Sequence, residues 1–400
     1  MGIIVQKFGG TSVADLDRLR HVASIVKAEI EDGNKVIAVV SAMAGVTNSL
    51  IAKCNEASAL ENTMQMREYD AAIASGEIVA SSLLALCLQD IGVRAKSLQG
   101  WQVPIKTDNN HGNAQTIEVS TKLLNSLLAD DIVPVVTGFQ GVTNLGDITT
   151  LGKGGSDTSA AIIAGEIGAQ RCDIYTDVDG IYTADPRVVH DARKIDSINI
   201  EELCALCQGG AKVLHPKAAL AAKDYKLQMR ILSSFSGMEG TLVNHLDKKP
   251  LPKESSLITA ITSNKNLLKV YIDCQEKNYR QVVSLFTDKM LGIEHASTLS
   301  DGFLLAIANL SDKSRVQKLL ENLKSHSIIK KYELSADISS VTIVGYGIYG
   351  NSSLINKITK ELDQHGIKIV SSHVFDTKMS LLINDEDNEQ VIKLLHNKLL

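Results

Sequence analysis

At 400 residues the chain is longer than one hydrophobic core usually serves, so two or three domains are expected. Its 44% hydrophobic and 22% charged content is that of a globular chain, not a disordered or fibrous one. A net charge of −5 gives no reason to expect nucleic acid or an anionic membrane as partner. The chain opens with an apolar run, "GIIV", then "VQKFGGTSV" (5–13), then the helical pattern "ADLDRLRHVASIVKAEI". Two readings of the middle stretch stand side by side. It is a strand-to-helix turn, with glycines for tightness and Ser or Thr as N-cap. Or it is an anion site, in which Gly9 and Gly10 let backbone N–H groups reach phosphate oxygens and Lys7 adds a full charge. The P-loop spacing, with Lys after the glycines, is not met.

Further along, "KVIAVVSAM" (35–43), "IVPVVTGFQG" (132–141) and "RCDIYTD" (171–177) read as buried strands. "SGEIVASSLLALCLQDIG" and "SDTSAAIIAGEIGA" read as helices between or after them. Continuous apolar strands alternating with helices predict an α/β domain with a mainly parallel sheet covered on both faces. Ligands of such sheets sit beyond the carboxyl ends of the strands. Those ends carry "KFGGTS", "SAMAGVT", "TGFQGVT" and "TDVDGIYTADPR". In "GGSDTSA" the glycines open a turn, Ser156 can cap the next helix, and Asp157 lies in its first turn.

Near "NHLDKKPLPKESS" (244–256) the composition shifts and two prolines fall close together, which reads as a linker. Beyond it the pattern repeats with an offset of 74, from Leu267 to Val341 and from Gly292 to Gly366. The order β-α-β-β-α-β describes a ferredoxin-like module. The expected organisation is a domain over 1–245, a linker over 246–263, and modules over 264–337 and 338–400. A packed pair of such modules suits either a small regulatory ligand or a dimer interface.

No apolar run is expected to reach the roughly 18 residues of a spanning helix. The amino terminus has no basic segment ahead of an apolar core, and Gln6 stands where a myristoylation signal wants Ser or Thr. A cytoplasmic location is the expectation. The six cysteines (54, 87, 172, 204, 207, 274) read as reduced structural thiols, Cys204 and Cys207 of the single CxxC included. The ten histidines, His215 in "LHPKA" among them, read as structural. The lysine doublets 248–249 and 330–331 read as solvated loop charges.

"KFGGTSV", "VVSAMAGVTN", "ASGE", "TLGKGGSDTSA", "YTDVDGIYTADPR" and "GGAKVLHPKA" occur in the order seen in aspartokinases, and the carboxyl half resembles that family's paired ACT domains. The resemblance covers almost the whole chain. It implies the three-layer amino-acid-kinase fold, followed by two tandem ferredoxin-like (ACT) modules. It also implies transfer of the ATP γ-phosphoryl to the side-chain carboxylate of L-aspartate, the first step toward lysine, threonine and methionine.

A carboxylate of pKa about 4 is ionised at pH 7, so no general base is needed. What the reaction needs is alignment of two anions and neutralisation of charge on the transferring group. Lys7, with the Gly9 and Gly10 backbone, suits that task, and Ser41 can donate to the same phosphates. For Asp157 two roles remain open, a helix-dipole charge and the family's role of holding Lys7. By resemblance the ATP-binding set is Lys7, Phe8, Gly9, Gly10, Ser41, Thr176, Asp177, Tyr182, Arg187, Lys212 and Val213. The aspartate set is Thr47, Glu77, Lys153, Gly154, Gly155 and Ser156, with Glu77 at the ammonium position. Glu77 also reads simply as a first-turn helix charge.

The family usually has Arg where this chain has Lys153, a point charge in place of a bidentate fork. ATP is expected with Mg²⁺, which leans on phosphate oxygens and needs no protein cage. Lysine, then threonine, is the expected effector. The usual Pro-Gly pair after the first strand of a module is replaced by "DCQEKNYRQ" and "GYGIYGNSS". A homodimer or higher homo-oligomer through the ACT modules is expected, and the chain length leaves no room for a fused homoserine dehydrogenase. Two alternatives stand beside this reading: another phosphotransferase of the same fold, and a non-catalytic amino-acid-sensing subunit.

Overall fold

A computed structural model describes residues 2–60, 62–245, 257–288, 291, 293–299 and 303–400. These residues divide into two compact units. One comprises 2–182, 194–208 and 212–245, the other 183–193, 209–211 and the residues from 257 onward.

The first unit is built on an eight-stranded sheet. From edge to edge its strands are Ser197–Asn199, Thr241–Asn244, Met229–Ser233, Arg171–Thr176, Ile3–Phe8, Lys35–Val40, Val133–Thr137 and Ala95–Leu98. Every neighbouring pair is parallel except Met229–Ser233 with Thr241–Asn244. The helices Leu16–Glu31 and Ser75–Asp90 bury Leu19, Val22, Val26, Leu84 and Leu88 against Phe8, Val36, Ala38, Val40, Val133 and Val135. Those strand residues alternate, as one face of a pleated sheet must. The Gly155–Glu166 helix packs on the same central strands from the other face, with Pro216–Asp224 against it. This is the three-layer α/β arrangement expected.

The stretch Thr63–Asp90 amends the expectation about apolar runs, because by length and composition it could cross a membrane. Half of its apolar window is buried within the fold, and it carries the buried Glu77. It is a core element here.

A small sheet lies beside the main one, in the order Thr116–Val119, Ile105–Thr107, Gln140–Val142, Ile148–Thr150. Asp70, fully buried, ties it to the Thr63–Ile73 helix. Its carboxylate accepts the Gly112 N–H (3.0 Å) and the Thr150 hydroxyl (2.5 Å), and it pairs with His111 Nδ1 (2.8 Å).

In the second unit, Leu267–Asp273, Tyr279–Asp288, Ile293–Leu299, Phe303–Asn309, Lys313–Ser325 and Lys331–Ser335 form the first ferredoxin-like module, complete in its own strands. The second module departs from the expected order. Its own strands are Ile338–Val344, Ile369–Phe375 and Lys378–Asn384, and its fourth is Ala260–Asn264, antiparallel to Ile338–Val344. The end of the expected linker is therefore a strand, and the first module is inserted within the second. The rest of that linker, 246–256, with its prolines and lysine doublet, lies outside the described residues, as does Gly292 of the repeat.

Residues 183–193, expected with the first 245, instead bury Ala184 and Val189 in the second module's core with Ile258, Ile261, Val341 and Ile343. Thr183 also accepts the Ile261 N–H (2.8 Å) on its carbonyl and meets His396 Nε2 (2.9 Å) with its hydroxyl. Cys204 and Cys207 are free, buried neighbours on the Ile200–Gln208 helix, and burial pushes both thiols up, Cys204 to about 11. Among the described residues no group of three His, Cys, Asp or Glu could hold a metal ion.

Candidate active site

Strand parity places the first functional side chain. Phe8 points into the core under the Leu16–Glu31 helix, so Lys7 points to the opposite face, toward the Gly155–Glu166 helix. There its Nζ meets Asp157 Oδ1 at 2.5 Å, with the two side chains only 10% and 15% exposed. Asp157 stands in that helix's first turn and also accepts the His215 N–H on its other oxygen, at 3.3 Å. Both readings of Asp157 therefore hold at once.

The same parity turns the Phe8 side chain away from Lys7. The Phe8 side chain is fully buried and stacks on Tyr175 (4.8 Å between centroids), while its carbonyl accepts the Ser41 N–H at 3.1 Å. The Phe8 side chain belongs to the core, so a nucleotide contact at this position would be made by its backbone.

Three loops converge on Ala42. A Cβ on Gly10 would stand 2.9 Å from the Ala42 carbonyl, and one on Gly76 would stand 2.8 Å from the Ala42 Cβ. These glycines let the Gly9–Gly10 turn, the 41–47 loop and the start of the Ser75–Asp90 helix come together. At that junction Glu77 accepts the Ala42 N–H on Oε1 (3.0 Å), while its Oε2 is buried without a partner. Burial pushes Glu77 up to about 7, against the lowering effect of the Ala42 N–H. Among the described residues no donor reaches that oxygen, although buried polar atoms normally have a partner. Thr47 stands in the first turn of the Val46–Ala57 helix, after Gly45 at φ 80°.

The turn before the Gly155–Glu166 helix is equally tight. Gly154 has φ 70°, and a Cβ there would lie 2.1 Å from the His215 ring. Gly155 packs on Phe139 and Leu151, and Gly138 on Ser156. Ser156 does not cap the helix as expected: the N-cap is Gly154, and Ser156 lies one turn position inside it. Lys153 is exposed; burial holds the His215 imidazole down against the opposing charge of Asp157, with Lys217 and then Lys153 adding to the lowering. His215 itself is structural as expected, the N-cap of Pro216–Asp224 with its ring accepting the Lys217 N–H.

On the nucleotide side, Thr176 ends its strand and its hydroxyl bonds Asp177 (3.1 Å). The Tyr182 hydroxyl donates to Asp179 (2.9 Å). Lys212 is exposed and Val213 half-buried in the stretch leading to His215. Arg187 belongs to the second unit, where its guanidinium grips Asp185 at 2.7 Å.

The structure also gives roles to residues not singled out in the sequence. Lys217 donates to Asn113 Oδ1 (2.6 Å) and the Leu151 carbonyl (3.4 Å), and burial lowers its pKa. Arg18, Ser12 and Ser234 form a second cluster at the glycine turn. Their partners lie from 66 to 222 residues away, so no local spacing could reveal them.

A buried lysine paired with a carboxylate, glycine turns at strand ends and a carboxylate with an unpartnered oxygen thus lie on one α/β unit, the kind of groups that phosphoryl transfer uses. A model of the amino acid kinase family matches residues 2–233. An aspartokinase of Rickettsia felis is 46% identical over 399 residues, covering 99% of each chain. One of Geobacillus stearothermophilus is 37% identical, covering 99% of this chain and 97% of its own. Among solved structures, Escherichia coli aspartokinase III in complex with aspartate and ADP (R-state) superimposes with a TM-score of 0.85 at 26% identity, covering 99% of each chain. Its complex with lysine and aspartate (T-state) gives 0.74 at 27%, covering 100% of this chain and 99% of that one. The chain belongs to the amino acid kinase family and, within it, to the aspartokinases.

Proposed function

We infer that this protein is an aspartate kinase. A β-carboxylate oxygen of L-aspartate attacks the γ-phosphorus of ATP, the bond to the β,γ-bridging oxygen breaks, and 4-phospho-L-aspartate and ADP leave. The nucleophile is already ionised, so no proton need be removed. Lys7 neutralises charge on the transferring group, and Asp157 keeps its ammonium in place. Gly9, Gly10 and Ser41 serve the phosphates from the adjacent turns. Thr176, Asp177, Tyr182, Arg187, Lys212 and Val213 are assigned to the nucleotide from the motifs they stand in.

The observation that carries the amino-acid assignment is Glu77, whose partnerless buried oxygen suits the substrate ammonium. Lys153 faces the α-carboxylate in this reading, with Thr47 and the Gly154–Ser156 turn completing the contacts. Mg²⁺ is proposed to enter with ATP and to offset phosphate charge, held largely by phosphate oxygens and water. Lysine is the proposed effector of the second unit, since a relative of this fold has been solved with lysine. A cytoplasmic homo-oligomer joined through the ACT modules is the proposed setting.

A coupled assay of ADP release decides the function. Turnover of Mg·ATP is expected with L-aspartate and not with glutamate or N-acetylglutamate. Turnover with either of the latter alone would make it another phosphotransferase of this fold, and no turnover with any would favour a sensing subunit.

A further inference from the structure

We propose that Arg18 is a positioning residue for the nucleotide side of this active site, acting through Ser234. Arg18 stands in the first turn of the Leu16–Glu31 helix, directly after the glycine turn. Its Nη2 donates both to the Ser234 carbonyl (2.6 Å) and to the Ser234 hydroxyl (2.9 Å). Its guanidinium carbon lies 3.8 Å from the centre of the Phe235 ring. Ser234 in turn donates its hydroxyl proton to Ser12 Oγ (2.8 Å) and its backbone N–H to the Thr176 carbonyl (3.2 Å). Ser12 and Ser234 are buried, at 0% and 1% exposure.

One serine thus joins the glycine turn to the end of the Arg171–Thr176 strand. A serine hydroxyl has one proton and could turn it several ways, whereas a guanidinium can only donate. By occupying the acceptor side of Ser234 Oγ, Arg18 directs that proton to Ser12. Ser12 closes the turn with its N–H on the Gly9 carbonyl at 2.9 Å. Arg18 therefore sets the relative position of two loops that hold the nucleotide, without touching it. A flat fork that stacks on an aromatic ring while bonding a carbonyl is arginine's geometry and not lysine's. The proposal rests on the kinase reading, in which the Gly9–Gly10 turn and Thr176 serve ATP.

The test compares Arg18→Met, Arg18→Lys, Ser234→Ala and the Arg18→Met/Ser234→Ala double variant by steady-state kinetics, affinity for a fluorescent ADP analogue, and Tm. Arg18→Met is expected to lower kcat/KM for Mg·ATP on the order of tenfold, the worth of a charged hydrogen bond. The aspartate KM should stay within about twofold, Arg18→Lys should fall between, and the double variant should be no worse than Arg18→Met alone. A lower Tm with unchanged ATP kinetics, equal effects on both substrates, or additive losses would overturn it. If the wild type shows no aspartate-dependent turnover, the kinase reading fails by that result alone. ADP-analogue affinity then still decides Arg18, a loss in Arg18→Met supporting the positioning role and no loss refuting it.

Discussion

Lys7 and Glu77 show how much one residue's surroundings decide. Lys7 faces Asp157 because it alternates with Phe8 in a strand whose Phe8 face is core, and in the proposed mechanism its charge serves the γ-phosphoryl. Lys7→Ala is expected to cut kcat by about 10²–10³ with a much smaller change in the aspartate KM, since the lost interaction serves charge that develops in transfer. Steady-state kinetics with both substrates checks this, and an unchanged kcat would return "KFGG" to a plain turn. Glu77, pushed up to about 7 by burial, is largely protonated in the free enzyme at pH 6. A substrate ammonium favours the charged form, so aspartate binding below that pH must expel a proton. The aspartate KM should therefore fall as pH rises toward 7, by up to about tenfold per unit, and then level off. Glu77→Gln should raise KM and flatten the profile. The same raised value has a folding consequence of opposite sense. Neutral Glu77 suits the fold below the ordinary carboxyl range, and that contribution is lost as pH rises through about 7, so the substrate-free protein should melt lower at pH 8 than at pH 6, other groups being equal.

At the scale of elements, the aspartate side is framed by a turn and a loop that other elements hold from behind. Asp70 on the Thr63–Ile73 helix binds the 111–112 backbone and side chain and Thr150, and the next residue, Asn113, receives Lys217 beside Leu151. Asp70→Ala would leave a buried N–H, a hydroxyl and a histidine without their acceptor. A loss of about 3 kcal/mol is expected, read as a lower midpoint in denaturant unfolding. Asp70→Asn, which keeps an acceptor, should lose less. "KFGGTS", "GGSDTSA" and the 74-residue repeat were legible because turn glycines and strand apolarity are local signals. Asp70, Arg18 and Ser234 were not, because each gains its meaning from a partner that folding brings near.

For the whole molecule, the chain threads its two units rather than completing one before the other. It leaves the first unit after Tyr182, gives Ala184 and Val189 to the second module's core, and returns at Lys194. An effector acts only by preferring one conformation, so lysine and aspartate should weaken each other reciprocally. Millimolar lysine is expected to lower turnover and raise Tm, with threonine the weaker ligand. Activity and melting unaffected by both would leave the tail as an assembly unit.

The sequence by itself determined the chemistry class and the inventory. Six ordered motifs, a parallel α/β pattern and a repeated ferredoxin-like pattern identify an aspartokinase, and they nominate Lys7, Glu77, Lys153 and Asp157 as its proposed site residues. Those signals are short-range, carried by periodicity and by residue types that turns and anions demand. Only the tertiary structure decided that Phe8 is core, that Ser156 is no cap, and that Glu77 keeps an unsatisfied oxygen. It alone made Ala260–Asn264 the fourth strand of a module beginning at Ile338. A strand edge accepts any chain of suitable pattern, and a buried polar atom any suitable donor, so which partner arrives is set by how the whole core packs.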